Sequence, residues 1–156
     1  MPDKKWKNKK CKKCGKKVSR NGKWVKHKGA MHNHCWKTWK KKRLRKEADK
    51  EWSKAVHRKY GSMCEITGGY ADQTHHYFPK GKYPQLRYHI DNGIPVSKGG
   101  HFRIENGDPT THERIKSNRG QEWYEKLEEK SKEEIPSGRG IEYYKEQVER
   151  LKNYEA

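Results

Sequence analysis

Residues 74–115 read THHYFPKGKYPQLRYHIDNGIPVSKGGHFRIENGDPTTHERI, and the fold turns on this stretch. Pro79, Gly81, Pro84, Gly93, Pro95, Gly99 and Gly100 punctuate it, after Gly61, Gly68 and Gly69 upstream. That spacing excludes a helix of any length before Asp108-Pro109, which reads as an N-cap with proline in the first helical position. Short strands are expected near 73–77 and 93–96, and a short helix over about 109–117. Upstream, no Gly or Pro interrupts 36–60, where Trp36, Trp39, Leu44, Ala48, Trp52, Val56 and Tyr60 recur every three to five positions. One helix with a Lys/Arg-dense opposite face follows; it could pack on the next domain, lie along DNA, or do both. Downstream, Trp123, Tyr124 and Leu127 suggest a helix over 120–131, and Ile141, Tyr144, Val148 and Leu151 mark a last amphipathic helix. The expected class is α+β. The expected organisation is a basic tail and Cys/His module (1–35), a basic linker helix (36–60), a core (61–118) and C-terminal helices (119–156).

Composition restricts the partners. Hydrophobic residues make up 29% of the 156 residues and charged ones 38%, so any core is small and metal is a plausible staple. The net charge of +19 is uneven: residues 1–60 hold 24 Lys/Arg against 4 Asp/Glu, and residues 61–156 hold 15 against 16. A polycationic front half suits nucleic acid, and Trp6, Trp24, Trp36, Trp39 and Trp52 within it argue against a plain disordered tail. Lys40, Lys41, Lys42, Arg43 and Arg45 are the candidate phosphate contacts. No apolar run approaches the ~20 residues of a membrane helix, and no signal-peptide stretch follows Met1, so a cytoplasmic protein is expected.

Cys11-Lys-Lys-Cys14 is followed by His32-Asn33-His34-Cys35. A two-residue gap lets a knuckle turn present two ligands, and two such pairs complete a tetrahedral Zn²⁺ site. Cys11, Cys14, His32 and Cys35 are the expected structural ligands, with His34 or His27 as substitutes for His32. Cys64 stands alone and reads as a small buried residue.

Phosphodiester hydrolysis needs an activated water and positive charge on the developing phosphorane. Adjacent histidines on a strand point to opposite faces, so one of His75 and His76 can hold metal while the other approaches a water. His101 and Glu105, at i and i+4, share one helical face. This arrangement resembles the HNH, or ββα-metal (His-Me finger), nucleases. The resemblance implies His76 as general base, His75 and His101 as metal ligands, Asn92 as the residue that constrains the loop and orients the base, and Glu105 as a third ligand, with His112 competing for that place. Arg87 could contact the scissile phosphate or pair with Asp91; His89 reads as structural. The metal is expected to be Mg²⁺ or Mn²⁺, beside the structural Zn²⁺.

The stretches PQLRYHIDN, GQEWYEKLEE and IEYYKEQVERLKN narrow the likeness to the NinG/Rap family of lambdoid phages. That resemblance implies an endonuclease acting on branched recombination intermediates such as Holliday junctions and D-loops, with recombination proteins as partners; a junction cut on two strands would favour a homodimer. Relatives often carry a second zinc knuckle in the core. Here Thr67, Ser97 and Gly100 stand where cysteine is expected beside Cys64, which implies a core without that zinc. Two other readings stay open: a non-catalytic zinc-knuckle DNA-binding protein, and a general HNH enzyme that nicks ordinary duplex.

Overall fold

The computed structural model describes residues 10–16 and 33–156. It is an α+β arrangement of five helices and one two-stranded antiparallel hairpin, counted among the described residues. Helix α1 (Asn33–Tyr60) is followed by β1 (Gln73–His76), two 3₁₀ turns (Pro84–Leu86 and Ile90–Asn92) and β2 (Gly93–Val96). Then come α2 (Lys98–Glu105), α3 (Pro109–Arg119), α4 (Gln121–Ser131) and α5 (Ile141–Lys152). None of the described helices is long and apolar enough to cross a membrane.

The hairpin lies between two packing clusters, and strand alternation distributes its side chains between them. In register, Thr74 pairs Pro95 and His76 pairs Gly93, while Gln73 pairs Val96 and His75 pairs Ile94. The first set faces α1. Ser53 and Thr74 share a hydroxyl hydrogen bond of 2.6 Å, and the His76 ring lies 3.9 Å from that of Trp52, nearly parallel at 11°. Here Ala48, Trp52, Ala55 and Val56 of α1 pack with Tyr144, Val148 and Leu151 of α5. The second set faces α2 and α3, where Ile94 and Val96 join Cys64, Ile66, Tyr77 and Ile115. The helix expected as a linker is therefore a wall of the core.

Two features differ from expectation. The punctuation rule excluded a helix before Asp108, yet α2 forms at Lys98–Glu105. Ser97 starts it by accepting a hydrogen bond from the Gly100 amide at 3.2 Å, and an N-cap of this kind offsets the cost of glycine in a first turn. Gly100 is also required by packing, because a Cβ there would lie 2.9 Å from Cys64 Sγ. Helix α1, in turn, begins at Asn33 and not at 36, so Cys35 lies in its first turn. As expected, Asp108 caps α3, its carboxylate accepting from the Thr110 amide at 3.0 Å.

Cys64, Thr67, Ser97 and Gly100 converge at the edge of the core, with Cys64 and Gly100 buried and Thr67 exposed. Ser97 Oγ donates to Cys64 Sγ at 3.5 Å, the Thr67 amide donates to the same sulfur at 3.4 Å, and the Thr67 and Ser97 hydroxyls lie 3.1 Å apart. Cys64 is buried, as its isolation in the sequence suggested. Hydrogen bonding from Ser97 and Thr67 outweighs burial and brings its thiol down to about 7. Arg119 fastens the far side: it pairs with Glu65, donates to Gly93 O at 2.9 Å, and stacks 3.6 Å from the Tyr60 ring.

Candidate active site and metal centre

β1 sends its two histidines to opposite sides. The His75 ring meets that of His101, on α2, with centroids 5.1 Å apart and planes at 66°. Glu105, one helical turn on, places a carboxylate oxygen 3.6 Å from His101 Nδ1 and is largely exposed. His112 is exposed beside Tyr77, at 5.0 Å between centroids, and its charge acts on His75. Burial first, then the neighbouring His101 and His112, pull the His75 imidazole down to about 4. His75 is thus neutral at pH 7, the state in which an imidazole ligates metal. His75 and His101 are the imidazole donors that could hold a divalent ion here, with Glu105 beside His101. They do not form a closed cage: among the described residues, the group of three ligand atoms within 4.8 Å of one another lies elsewhere.

His76 is held more firmly. Its Nε2 lies 3.0 Å from Arg87 O, so Nε2 carries the proton and Nδ1 keeps the lone pair. Burial against Trp52 lowers this imidazole to about 4, partly opposed by the Arg87 carbonyl. Asn92 is fully buried. It accepts from the Phe78 amide at 2.7 Å and donates to Phe78 O at 3.0 Å and Leu86 O at 3.2 Å. One amide thereby ties Phe78, two residues beyond β1, to the Leu86 carbonyl, which adjoins the one that holds His76. Asn92 holds the loop next to the Arg87 carbonyl that meets His76.

Arg87 requires correction. Its guanidinium is buried and grips Asp49 of α1, with Nε–Oδ1 at 2.9 Å and Nη2–Oδ2 at 2.7 Å. That bidentate pair consumes the geometry that suits phosphate. The ion-pair partner is Asp49 and not Asp91, which is engaged by Lys59 and Tyr60. The His89 carbonyl accepts from Trp52 Nε1 at 3.0 Å, while its ring Nδ1 is buried without a hydrogen-bond partner. Trp52, read in the sequence as one member of a helical stripe, emerges as the support for His76; no sequence signal marks it apart from its neighbours.

The second site is at the N-terminus. Gly15, at φ +70°, closes a turn over 12–14 in which the Gly15 amide donates to Cys11 O at 2.8 Å. The turn sets Cys11 and Cys14 beside Cys35 in the first turn of α1, with all three ligand atoms within 4.8 Å. This cluster could hold a metal ion such as zinc, since tetrahedral thiolates around Zn²⁺ have comparable separations. Burial and then the adjacent Cys11 and Cys14 push the Cys35 thiol up to about 11; a bound dication reverses that penalty. His32 and His27 lie outside the described residues, and His34 is exposed and outside the cluster. The Cys14→Ser variant is expected to lose the bound zinc, measured as metal per chain by elemental analysis, while the melting temperature shifts by under about 3 °C because neither packing cluster uses this site. A fall as large as that of a core variant would show that the cluster supports the whole fold. Lys40, Lys41, Lys42, Arg43 and Arg45 lie on the open part of α1, all exposed but Lys40. No family model matches the chain, and neither the curated proteins nor the solved structures include a match.

Proposed function

We propose that the chain is a metal-dependent HNH-type endonuclease that hydrolyses DNA phosphodiesters, with branched recombination intermediates as substrate. The observation that carries this reading is the division of labour across β1: His75 meets His101 on α2 while its neighbour His76 is fixed by Arg87 O and Trp52. A Mg²⁺ or Mn²⁺ ion held by His75 and His101, with Glu105 or His112 at its edge, would supply positive charge for the phosphorane and the leaving oxygen. Neutral His76 takes a proton from the attacking water at Nδ1, and the bond at Nε2 keeps that tautomer in place. Asn92 prevents the loop from releasing the imidazole. The cations of α1 attract phosphates without reading bases, so affinity falls steeply with salt. Branched substrate rests on the sequence resemblance.

The test is cleavage of a labelled four-way junction and a linear duplex of matched sequence, each with Mg²⁺ and with Mn²⁺. Preferential junction cutting is expected. Equal cutting of both makes the chain a general HNH nuclease. A second reading, a zinc-armed DNA-binding protein without catalysis, is favoured by one observation: the cysteine trio converges as a metal cluster and the histidines do not. It predicts that both DNAs are bound and neither is cut under either metal.

A further inference from the structure

Helix α1 reaches the core only in its second half. From 34 to 47 none of its side chains is buried, and the first buried residue is Ala48. Residues 33–47 carry seven Lys and Arg against one acid, Glu47, which is engaged by Lys152. Among the described residues, none of those seven cations takes part in an ion pair with an acid of the chain. Two large aromatic rings sit among them. Trp39 is 41% exposed with the Arg43 guanidinium 5.5 Å from its ring centroid, and Lys40 lies 4.8 Å over Trp36. Cations alone would serve a smooth duplex backbone. An exposed indole framed by cations offers something a stacked duplex cannot use and an unpaired base can, namely a π face for stacking beside groups that hold the flanking phosphates.

We propose that Trp39 is a stacking platform for an unpaired DNA base, and that the open end of α1 thereby distinguishes a branch from plain duplex. The proposal rests on the DNA-binding part of the reading above and is independent of its catalytic part. Spacing gives it a consequence. Trp39 precedes Trp52, the residue beneath His76, by thirteen positions, or about 20 Å along an α-helix. That length corresponds to roughly six nucleotides of stacked DNA, so a base held at Trp39 would lie about that far along the strand from the part of α1 that packs on the hairpin.

The experiment measures the affinity of the full chain, zinc-replete and without added Mg²⁺ or Mn²⁺, for a labelled fork with unpaired arms and for a fully paired duplex. Wild type, Trp39→Ala and Trp39→Phe are compared. Alanine is expected to weaken fork binding about tenfold, within the range base stacking supplies, and to leave duplex binding within about twofold. Phenylalanine, which keeps a π face, is expected to retain most of the fork affinity. An unchanged ratio of fork to duplex affinity in Trp39→Ala overturns the proposal. Binding of neither DNA by wild type, or a preference for RNA or for an acidic protein, overturns both the proposal and the DNA reading beneath it. Fork selectivity that depends on Trp39 in a chain that never cuts DNA supports the proposal and sinks the nuclease.

Discussion

On the proposed function, replacing His76 with Ala is expected to lower junction cleavage at least about 100-fold, the lower end of what a positioned acid or base contributes, while junction binding stays within about threefold because that reading assigns phosphate affinity to the exposed cations of α1. His76→Gln is the companion variant: its amide can still donate to Arg87 O but offers no basic nitrogen. Both variants are to be compared with wild type in melting temperature first, since the imidazole stacks on Trp52. Cleavage by His76→Ala within a few-fold of wild type would remove His76 from the chemistry. The pH dependence has a definite sign. Burial sets the folded His75 and His76 at about 4, below the 6.5 of an ordinary imidazole. Between these values the unfolded chain binds more protons than the folded one. Stability in metal-free buffer is therefore full above about pH 6.5 and falls as pH drops toward 4.

The largest stability loss is expected from Gly93→Ala. A Cβ at Gly93 would lie 2.1 Å from Val56 Cγ2, 2.9 Å from Cγ1 and 3.1 Å from Ile90 O. Val56 is fully buried and β-branched, so it cannot rotate away, and Ile90 O is backbone. Relief requires β2 to back away from α1, carrying with it the strand partner of His76. A cost of about 3 kcal/mol is expected, at the upper end of overpacking effects, and a melting temperature lower by about 10 °C for a chain of this size. Gly107→Ala is the control: its φ is +71° but open space surrounds it, so it carries only the backbone strain of a positive φ, on the order of 1 kcal/mol. A Gly93→Ala protein as stable as wild type would mean that the hairpin and α1 are less closely seated than described.

Much of this was legible in the chain because it depends on local chemistry. Two strands, the Asp108 cap and the last two helices follow from punctuation and periodicity. The opposed directions of His75 and His76 follow from strand geometry alone. What sequence could not show depends on distant partners. Arg87 chose Asp49, 38 positions away, over Asp91, four positions away, because α1 lies against the loop. Punctuation alone excluded helix α2 because of its glycines, one of which makes room for Cys64, while the i, i+4 spacing of His101 and Glu105 pointed to it. Thr67 and Ser97 meet around the Cys64 thiol across thirty positions of sequence: the Ser97 hydroxyl and the Thr67 amide donate to the sulfur, and the Thr67 hydroxyl bonds Ser97.

The bond between His75 and His76 is also the border between the two packing clusters, and this governs how the protein can change over time. Substitutions in α5 reach the hairpin through Trp52 beneath His76 and through Arg150, which donates to Tyr88 O; substitutions in α3 reach it from the opposite face and through Arg119, which donates to Gly93 O. On the proposed function, the side of the hairpin that carries His75 and the side that carries His76 therefore answer mainly to different substitutions.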